Sequence, residues 1–300
     1  MTVRLAVIPV AGRGTRLLPM TKSLPKEMLA VGRKPVVQYV VEELQRCGLE
    51  RLLFITGATK TAIENYFDID NELIDNLRRT GKEELLEELA FEKANLQYFY
   101  TRQRKQLGLG HAILCAESFI GREPFVVALG DTILGVNAKA KIVARLIEEF
   151  EKKRADAVIA FEQVPENEVH RYGIAAPVSM KNPDVFQLAG IVEKPRADEA
   201  PSHMAVASRY VFKPEIFAYL HETKPGKNGE IQLTDAIQAM IANGKRVYGV
   251  RVRPEEHRFD IGNFGSYFSA FLEFALADPD FGETVRAKMR ELLDKTQENA

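Results

Sequence analysis

Cysteine is scarce in this 300-residue chain: Cys47 and Cys115 are the only two, and they lie far apart in segments of helical pattern. So few and so widely spaced thiols indicate neither a disulfide framework nor a zinc site. A chain without a disulfide framework suits a reducing compartment, so we expect a cytoplasmic protein.

The chain also lacks a net charge of either sign, since 41 Lys and Arg residues face 42 Asp and Glu residues. No overall field therefore attracts nucleic acid or an acidic membrane surface. No apolar run approaches the length of a transmembrane helix, and the apolar N-terminal run is too brief for a signal peptide. We expect neither a nucleic-acid partner nor a membrane partner.

Internal repeats and low-complexity tracts are absent as well, and the C-terminal part has none of the hexapeptide repeats that build a β-helix domain. What is present is an ordinary globular composition, with 46 % hydrophobic residues. This composition and length suit one large α/β domain or two small ones.

The most informative stretch is a glycine-rich loop near the start of the chain. A short apolar run from Leu5 to Val10 predicts a buried strand, and Gly12 and Gly14 follow it closely. Glycines let the backbone approach an anion, and four cationic side chains lie in the same loop: Arg13, Arg16, Lys22 and Lys26. We therefore predict a loop that binds a triphosphate.

The spacing in this loop excludes two common phosphate-binding motifs. The pattern G-x-G-x-x-G would need glycine where Leu17 stands, and G-x-x-x-x-G-K-[ST] does not occur. After the next predicted strand, at 51–56, the chain has Gly57, Ala58 and Thr59 in place of the acidic residue that binds an adenine ribose. A hydride-transferring dinucleotide enzyme is therefore not favoured.

A carboxylate follows another predicted strand. The apolar run from Phe125 to Leu129 ends in Gly130 and Asp131. A carboxylate at the C-terminal tip of a central strand lies where α/β sheets bind ligands, and there it can hold magnesium between two phosphates. The alternative role for such an aspartate is to cap a helix or form a turn.

The pattern of elements changes along the chain. Strand and helix patterns first alternate, with strands expected at 5–10, 51–56, 96–101, 125–129 and 155–161 and helices at 34–48, 59–67, 68–93 and 138–153. Strands then dominate, at 174–178, 185–193, 205–212 and 247–252, before two closing helices at 266–276 and 283–293. The pattern predicts an α/β fold whose second half is rich in β-structure.

Three runs in the first loop carry a resemblance to a known family. The sequence A-G-x-G-T-R, followed by P-x-T-K and P-K-E-M-L, resembles the nucleotide loop of the sugar nucleotidyltransferases, and G-E-I-Q-L-T-D at 229–235 resembles a signature of the uridylyltransferases among them. The resemblance implies a Rossmann-like doubly wound mixed sheet, similar to glycosyltransferase A folds, with C-terminal helices. It also implies magnesium-dependent transfer of a uridylyl group from UTP to glucose 1-phosphate, with UDP-glucose and pyrophosphate as products.

The resemblance assigns roles to individual residues. Catalytic roles fall on Arg16, Lys26, Asp131 and Lys194, and nucleotide contacts fall on Ala11, Gly12, Gly14, Thr15, Gln103 and Gly108. Sugar contacts fall on Gly173, Glu193 and Lys194, and the metal ligands are Asp131 and Asp260. The chemistry suits these roles, because a glutamine amide can pair with the edge of a uracil ring, a carboxylate accepts from sugar hydroxyls and an ammonium neutralises a phosphate.

The resemblance also implies a division of the chain. We expect a nucleotidyltransferase domain at 1–264, with 1–135 mainly binding the nucleotide and 155–264 mainly binding the sugar. The helical segment 265–300, and the helical excursion after residue 68, have more apolar surface than one domain needs. We therefore expect a homodimer or homotetramer.

Two departures from the uridylyltransferase pattern keep alternatives open. Leu107 stands where these enzymes usually have lysine, and Gly130 stands where they commonly have proline. The glycine favours thymidylyl transfer from dTTP as the nearest alternative, because uracil and thymine differ only by a methyl group. A catalytically silent relative that binds sugar nucleotides is the other alternative, although a silent copy would not need all of its charged site residues.

Overall fold

The computed structural model describes residues 3–226 and 229–298. Residues 1–2, 227–228 and 299–300, which the predicted domain ranges include, lie outside the described residues. None of the helices in the described part of the chain has both the length and the apolar character that crossing a bilayer requires.

Strands and helices alternate through the first half of the chain and strands dominate the second half, as predicted. The strands are β1 (Leu5–Pro9), β2 (Ala30–Val31), β3 (Lys34–Pro35), β4 (Arg51–Thr56), β5 (Gln97–Arg102), β6 (Phe125–Ala128), β7 (Thr132–Leu134), β8 (Ala157–Gln163), β9 (Gly173–Pro177), β10 (Val185–Glu193), β11 (Met204–Phe212), β12 (Val247–Arg251) and β13 (Arg258–Asp260). The helices are α1 (Val36–Arg46), α2 (Thr61–Phe67), α3 (Asn71–Arg79), α4 (Gly108–Leu114), α5 (Glu117–Ile120), α6 (Ile142–Lys152), α7 (Ile216–Glu222), α8 (Leu233–Ala242), α9 (Phe264–Leu276) and α10 (Gly282–Glu298).

One mixed sheet runs through the molecule. Within the described residues it has nine strands in the order β5-β4-β1-β6-β11-β8-β12-β10-β9. The pairs among β5, β4, β1 and β6 are parallel, as is β8 with β12, while β11 is antiparallel to β6 and β8. The predicted mixed α/β sheet is confirmed.

Helices cover both faces of this sheet. Alternate residues of β1 point to opposite faces, so Leu5 and Val7 join a core with α4, α7 and α8, while Ala6 and Ile8 join a core with α1, α2 and α6. Because both faces are covered, the central strands β1, β4, β6 and β11 are almost continuously buried, as their apolar runs in the sequence indicate.

The predicted helix at 68–93 is wrong in part. Helix α3 ends at Arg79, before Gly81, whose φ of +70° interrupts the helix. The residues Glu83–Lys93 form 3₁₀ turns. Glutamates at i and i+4, such as Glu83 and Glu87, repel each other in an α-helix, which is one physical reason for this difference.

Candidate active site

A cavity of about 470 Å³ lies at the carboxyl ends of the central parallel strands. It is open to the surface and lined by residues from both halves of the chain. Among the predicted site residues it brings together Gly14, Thr15, Arg16, Lys26, Asp131, Gly173, Glu193, Lys194 and Asp260. The position agrees with the general location of ligand sites in α/β sheets.

The glycine-rich loop forms one wall of this cavity. Gly14 has a φ of +66°, a left-handed conformation that favours glycine, and its carbonyl accepts a 2.8 Å hydrogen bond from Thr21 Oγ1. A Cβ at Gly12 would meet only Lys26 Cε and Nζ, at ordinary contact distances of 3.7 and 3.8 Å. Protein packing therefore explains why residue 14 is glycine but not why residue 12 is. The glycine at 12 is consistent with a close approach of a ligand to the backbone there.

Lys26 and Asp131 form an ion pair inside the cavity. Burial disfavours both charges, but each stabilises the other: the Asp131 carboxylate, with Glu27, raises the pKa of Lys26 above its ordinary value, and Lys26 lowers the pKa of Asp131. Behind the pair, Glu27 lies 2.6 Å from Lys60 Nζ in a second, fully buried ion pair. The Lys26 cation is therefore held in place inside the cavity.

The second predicted metal ligand reaches the site through an antiparallel ribbon that the sequence patterns did not predict. Strands β7 and β13 pair so that Asp260 lies opposite Thr132, and Ile261 N donates to Asp131 O at 3.0 Å. Burial, together with the nearby charge of Asp131, raises the pKa of the Asp260 carboxyl.

These two carboxylates fit a magnesium ion. Magnesium is typically bound through one or two carboxylates, substrate phosphates and water. Within the described residues no group of three or more His, Cys, Asp and Glu side chains could hold a metal without such help. The crowding of Asp131 and Asp260 is the kind of electrostatic strain that a divalent cation relieves.

The opposite wall carries the predicted sugar-binding residues. Glu193, at the end of β10, accepts a 2.7 Å hydrogen bond from Thr234 Oγ1 and lies 3.1 Å from Lys194 Nζ. Lys194 has a φ of +47°, a strained conformation for a residue with a side chain, and its N–H donates to Tyr172 O at 2.9 Å. A Cβ at Gly173 would lie 2.6 Å from Thr234 Cγ2, so the backbone there packs directly on the start of α8.

A second cavity, of about 540 Å³, shares Thr15 with the first. Its lining contains the predicted nucleotide contacts Ala11 and Gln103 and several cations: Arg13, Lys22, Lys60, Arg104 and Lys105. Gln103 Nε2 donates to Gly108 O at 3.0 Å and lies 3.0 Å from His111 Nδ1. Both contacts use the amide nitrogen, and neither of them engages the acceptor atom Gln103 Oε1.

Gly108 and Gly110, near Gln103, pack closely against a loop that is distant in sequence. The loop at 230–231 pairs with the backbone of this segment, through Ile231 N to Leu107 O at 2.7 Å and Gly110 N to Ile231 O at 2.9 Å. A Cβ at Gly108 would lie 2.8 Å from Glu230 Cβ, and one at Gly110 would lie 2.8 Å from Ile231 O. Packing of this loop therefore accounts for both glycines, while the Gly108 carbonyl orients Gln103.

Two other sequence signals are explained in the same way. A Cβ at Gly130 would collide with Val10, the residue after β1, so packing with this neighbour accounts for the glycine without reference to the base. Gln106, one possible base contact by residue type, donates instead from Nε2 to Ala11 O at 2.8 Å and ties its loop to the glycine-rich loop.

Sequence reasoning missed three residues that shape the site. Thr234 orients Glu193, as described above, and Arg258 lies 4.1 Å over the ring of Tyr172 and 3.3 Å from Glu162. Arg209 is fully buried within β11, where it pairs with Glu43 of α1. A charged residue in an otherwise apolar strand was the available signal for Arg209.

Comparisons with known proteins agree with this architecture. The family model described as "Nucleotidyl transferase" matches residues 5–275. The chain is 44 % identical over 295 residues to the UTP–glucose-1-phosphate uridylyltransferase of Bacillus subtilis, covering 98 % of this chain and 99 % of that protein. It is similar to the solved structure of a UTP-bound UGPase from Acinetobacter baumannii, with a TM-score of 0.88, 37 % identity and coverage of 97 % of this chain and 100 % of that one.

Proposed function

Because this chain belongs to the nucleotidyl transferase family, we propose that it transfers a uridylyl group from UTP to glucose 1-phosphate and releases pyrophosphate. The observation that carries the proposal is the meeting of Lys26, Asp131 and Asp260 with Glu193 and Lys194 in one cavity. A nucleotide phosphate and a sugar phosphate would each find a cation there. The names of relatives such as the B. subtilis protein support this choice of substrates.

The proposed reaction is a direct displacement at phosphorus. An oxygen of the sugar phosphate attacks the α-phosphorus of UTP, a new P–O bond forms, and the bond to the β-phosphate oxygen breaks so that pyrophosphate leaves. The attacking oxygen is already anionic, so no general base is required. The protein accelerates the step by positioning the two phosphates and by neutralising their charge.

Residues of the glycine-rich loop and of the opposite wall have different roles in this proposed reaction. Gly12 and Gly14 approach the triphosphate, Arg16 and Lys26 neutralise the α-phosphate and the leaving pyrophosphate, and Lys194 binds the sugar phosphate. Glu193 accepts from sugar hydroxyls, held in place by Thr234. Ala11, Thr15, Gln103 and Gly108 complete the nucleotide side, and Gly173 completes the sugar side.

We propose that Asp131 and Asp260 hold a magnesium ion. When bound there, the ion supplies positive charge next to the phosphates. The chain's own contribution is the β7–β13 ribbon, which brings the two carboxylates to one wall. Lys26, which pairs with Asp131, is placed to exchange that carboxylate for a phosphate.

Uracil is the proposed base, and thymine is the competitor. The Gly130 argument for thymine no longer holds, since Val10 explains that glycine. Gln103 supports a ring with an N3–H group, which both bases have, so the methyl group alone separates them. Such a difference is worth about 1–3 kcal/mol.

Several wider features belong to the same proposal. The nucleotide side at 1–135 and the sugar side at 155–264 each line one part of the cavity, with the helical segment 265–300 as a contact between copies of the chain. Cys47 and Cys115 are both free thiols, which suits the proposed cytoplasmic location.

Pyrophosphate release with magnesium tests the proposal directly. UTP, dTTP, ATP, CTP and GTP are each combined with glucose 1-phosphate, galactose 1-phosphate and N-acetylglucosamine 1-phosphate. We expect the fastest turnover with UTP and glucose 1-phosphate. Faster turnover with dTTP would overturn the choice of base, and no turnover while UDP-glucose still binds would favour a silent relative.

A further inference from the structure

We propose that the buried pair Glu43–Arg209 is a positioning device that holds the turn carrying Asp131, an inference that rests on the proposed function. Both side chains are completely inaccessible to solvent, and neither lines the cavity. They act on the site through backbone carbonyls on either side of Asp131.

Arg209 uses its whole guanidinium group in this arrangement. Nε and Nη2 donate to Glu43 Oε2 at 3.2 and 2.7 Å, and Nη2 also donates to Thr132 O at 2.9 Å. Nη1 donates to Ser208 O at 3.0 Å and reaches Leu129 O at 3.5 Å. The cation therefore spans the chain from residue 129 to residue 132, with Gly130 and Asp131 between its contacts.

The backbone of β11 is distorted to allow this. The pairing of β11 with β8 shifts register between Val206 and Tyr210, and Ser208 has a φ of +60°. Ser208 O also accepts from Leu129 N at 3.2 Å, and Ser208 Oγ lies 3.3 Å from Thr132 Oγ1. Non-glycine residues in strained backbone conformations cluster at functional sites, where the surrounding structure holds them in place.

The position of Asp131 is consequently set from two directions. The ribbon of β7 and β13 fixes its carbonyl through Ile261 N, and the Arg209 contacts fix the residues before and after it. Asp131 must face both Lys26 and the neighbouring Asp260, so a shift of this turn would separate the charges that the reaction needs. Misplacement by about 1 Å in an active site can cost about a hundredfold in rate.

Stability alone is a poor reason for this pair. Taking two charges out of water is costly, and replacing such a pair by apolar residues of similar size is often neutral or stabilising. Glu43 Oε1 has no hydrogen-bond partner among the described residues, so the pair is not even fully satisfied. A group that is costly to bury and that contacts the active-site turn is better explained by positioning.

The test replaces both charges, with Glu43→Met and Arg209→Met combined, and compares three measurements with the wild type. We expect kcat to fall at least about tenfold while the KM values for UTP and glucose 1-phosphate stay within about twofold, since transition-state geometry and not ground-state binding is affected. We expect the melting temperature to be retained. Hydrogen–deuterium exchange of the peptide 129–134 should become faster.

A second variant covers failure of the double variant to fold. Arg209→Lys keeps a cation beside Glu43, but an ammonium cannot hold Glu43 and both flanking carbonyls at once. We expect the same fall in kcat and the same faster exchange. The matched control is Asp156→Asn with Lys213→Met, a 2.7 Å ion pair at the ends of β8 and β11 away from Asp131, which should leave kcat and the 129–134 exchange unchanged.

The outcomes separate this inference from the proposed function. Wild-type kcat and unchanged exchange in the folded variants would overturn the inference, as would a loss of melting temperature alone. If the wild type does not use UTP and glucose 1-phosphate, the proposed function fails, and the exchange of 129–134 still tests whether the pair holds the turn.

Discussion

Lys26 occupies a central place among the side chains of the site because it already has a partner. In the structure its ammonium group neutralises Asp131, and burial has removed most competing water. Binding of an anionic phosphate therefore requires Lys26 to share its charge between two partners. In the proposed reaction, a lysine so placed contributes charge at the phosphates without reorganisation of solvent at the moment of reaction.

Replacing this lysine should abolish most of the activity. We expect Lys26→Met to lower kcat for pyrophosphate release by on the order of a hundredfold or more, because one preorganised donor to the transition state is lost. The measurement is turnover at saturating UTP and glucose 1-phosphate. Lys152→Ala, on the exposed surface of α6, removes an equal charge away from the site and should be neutral. Nearly full activity in Lys26→Met would contradict its role.

The glycines show how far residue patterns can be interpreted. The pattern around Gly12 and Gly14 predicted a loop beside the candidate site, and the structure places Gly14 in the cavity wall. The resemblance makes Gly108 a nucleotide contact and Gly130 favoured thymine, yet each also packs against a neighbour distant in sequence, Glu230 and Val10 respectively. A single sequence shows that a Cβ is missing and does not show which neighbour excludes it.

At the scale of elements, the start of α8 supports the end of β10. Thr234 is the second residue of α8, and its hydroxyl group holds Glu193 while its methyl group packs on Gly173. Helix and strand thus meet at the proposed sugar subsite. The orientation of Glu193 depends on a single hydrogen bond from this helix.

Two substitutions separate the hydroxyl group from the methyl group of Thr234. Thr234→Val should raise the KM for glucose 1-phosphate about tenfold, because a hydrogen bond to a charged carboxylate is worth about 1.5 kcal/mol or more. Thr234→Ser keeps the donor and should stay near the wild type. Steady-state kinetics with each substrate varied in turn gives both values, and the KM for UTP is the internal control. A wild-type KM in Thr234→Val would contradict the role of the hydrogen bond, and a raised KM in Thr234→Ser alone would show that the methyl group matters instead.

Longer elements were predictable from the sequence, and short ones were not. The strand at 185–193 agrees with its prediction residue for residue, because its nine residues are long enough to show buried and exposed positions in alternation. The ribbon of β7 and β13 has three residues in each strand, too few for any periodicity. Its pairing joins residues more than a hundred positions apart, so the meeting of Asp131 and Asp260 came from the family resemblance and not from local pattern.

At the scale of the whole molecule, a continuous sheet joins the two proposed substrate sides. Strand β11 lies between β6, which leads to Asp131, and β8, which belongs to the second half. The buried Arg209 on this strand contacts the first half through Glu43 and Thr132. The composition correctly indicated an α/β fold of this size, but the order of strands could not be read from it, since strand order depends on pairing between distant segments.

The surface of the molecule also predicts how copies of the chain associate. Helix α9 buries Ala270 and Phe274 against the ribbon and α1, yet it exposes Phe268, Phe271 and Leu272 by 56 %, 40 % and 44 %. Phe281, just before α10, is 60 % exposed. Adjacent large apolar side chains on a surface are typical of an interaction site, and a second copy of this chain is the partner predicted from the sequence.

Charged substitutions on this apolar face of α9 should therefore dissociate the copies of the chain. In Phe268→Glu with Leu272→Lys, the new side chains are spaced i and i+4 with glutamate first, an arrangement that supports the helix while it removes the apolar face. We expect light scattering to give a dimer or tetramer for the wild type and the mass of one chain for this variant. Ala144→Glu with Glu148→Lys places the same Glu–Lys pair on exposed positions of α6 and should keep the wild-type mass. A monomeric wild type, or an unchanged mass in the α9 variant, would show that this face does not join copies of the chain.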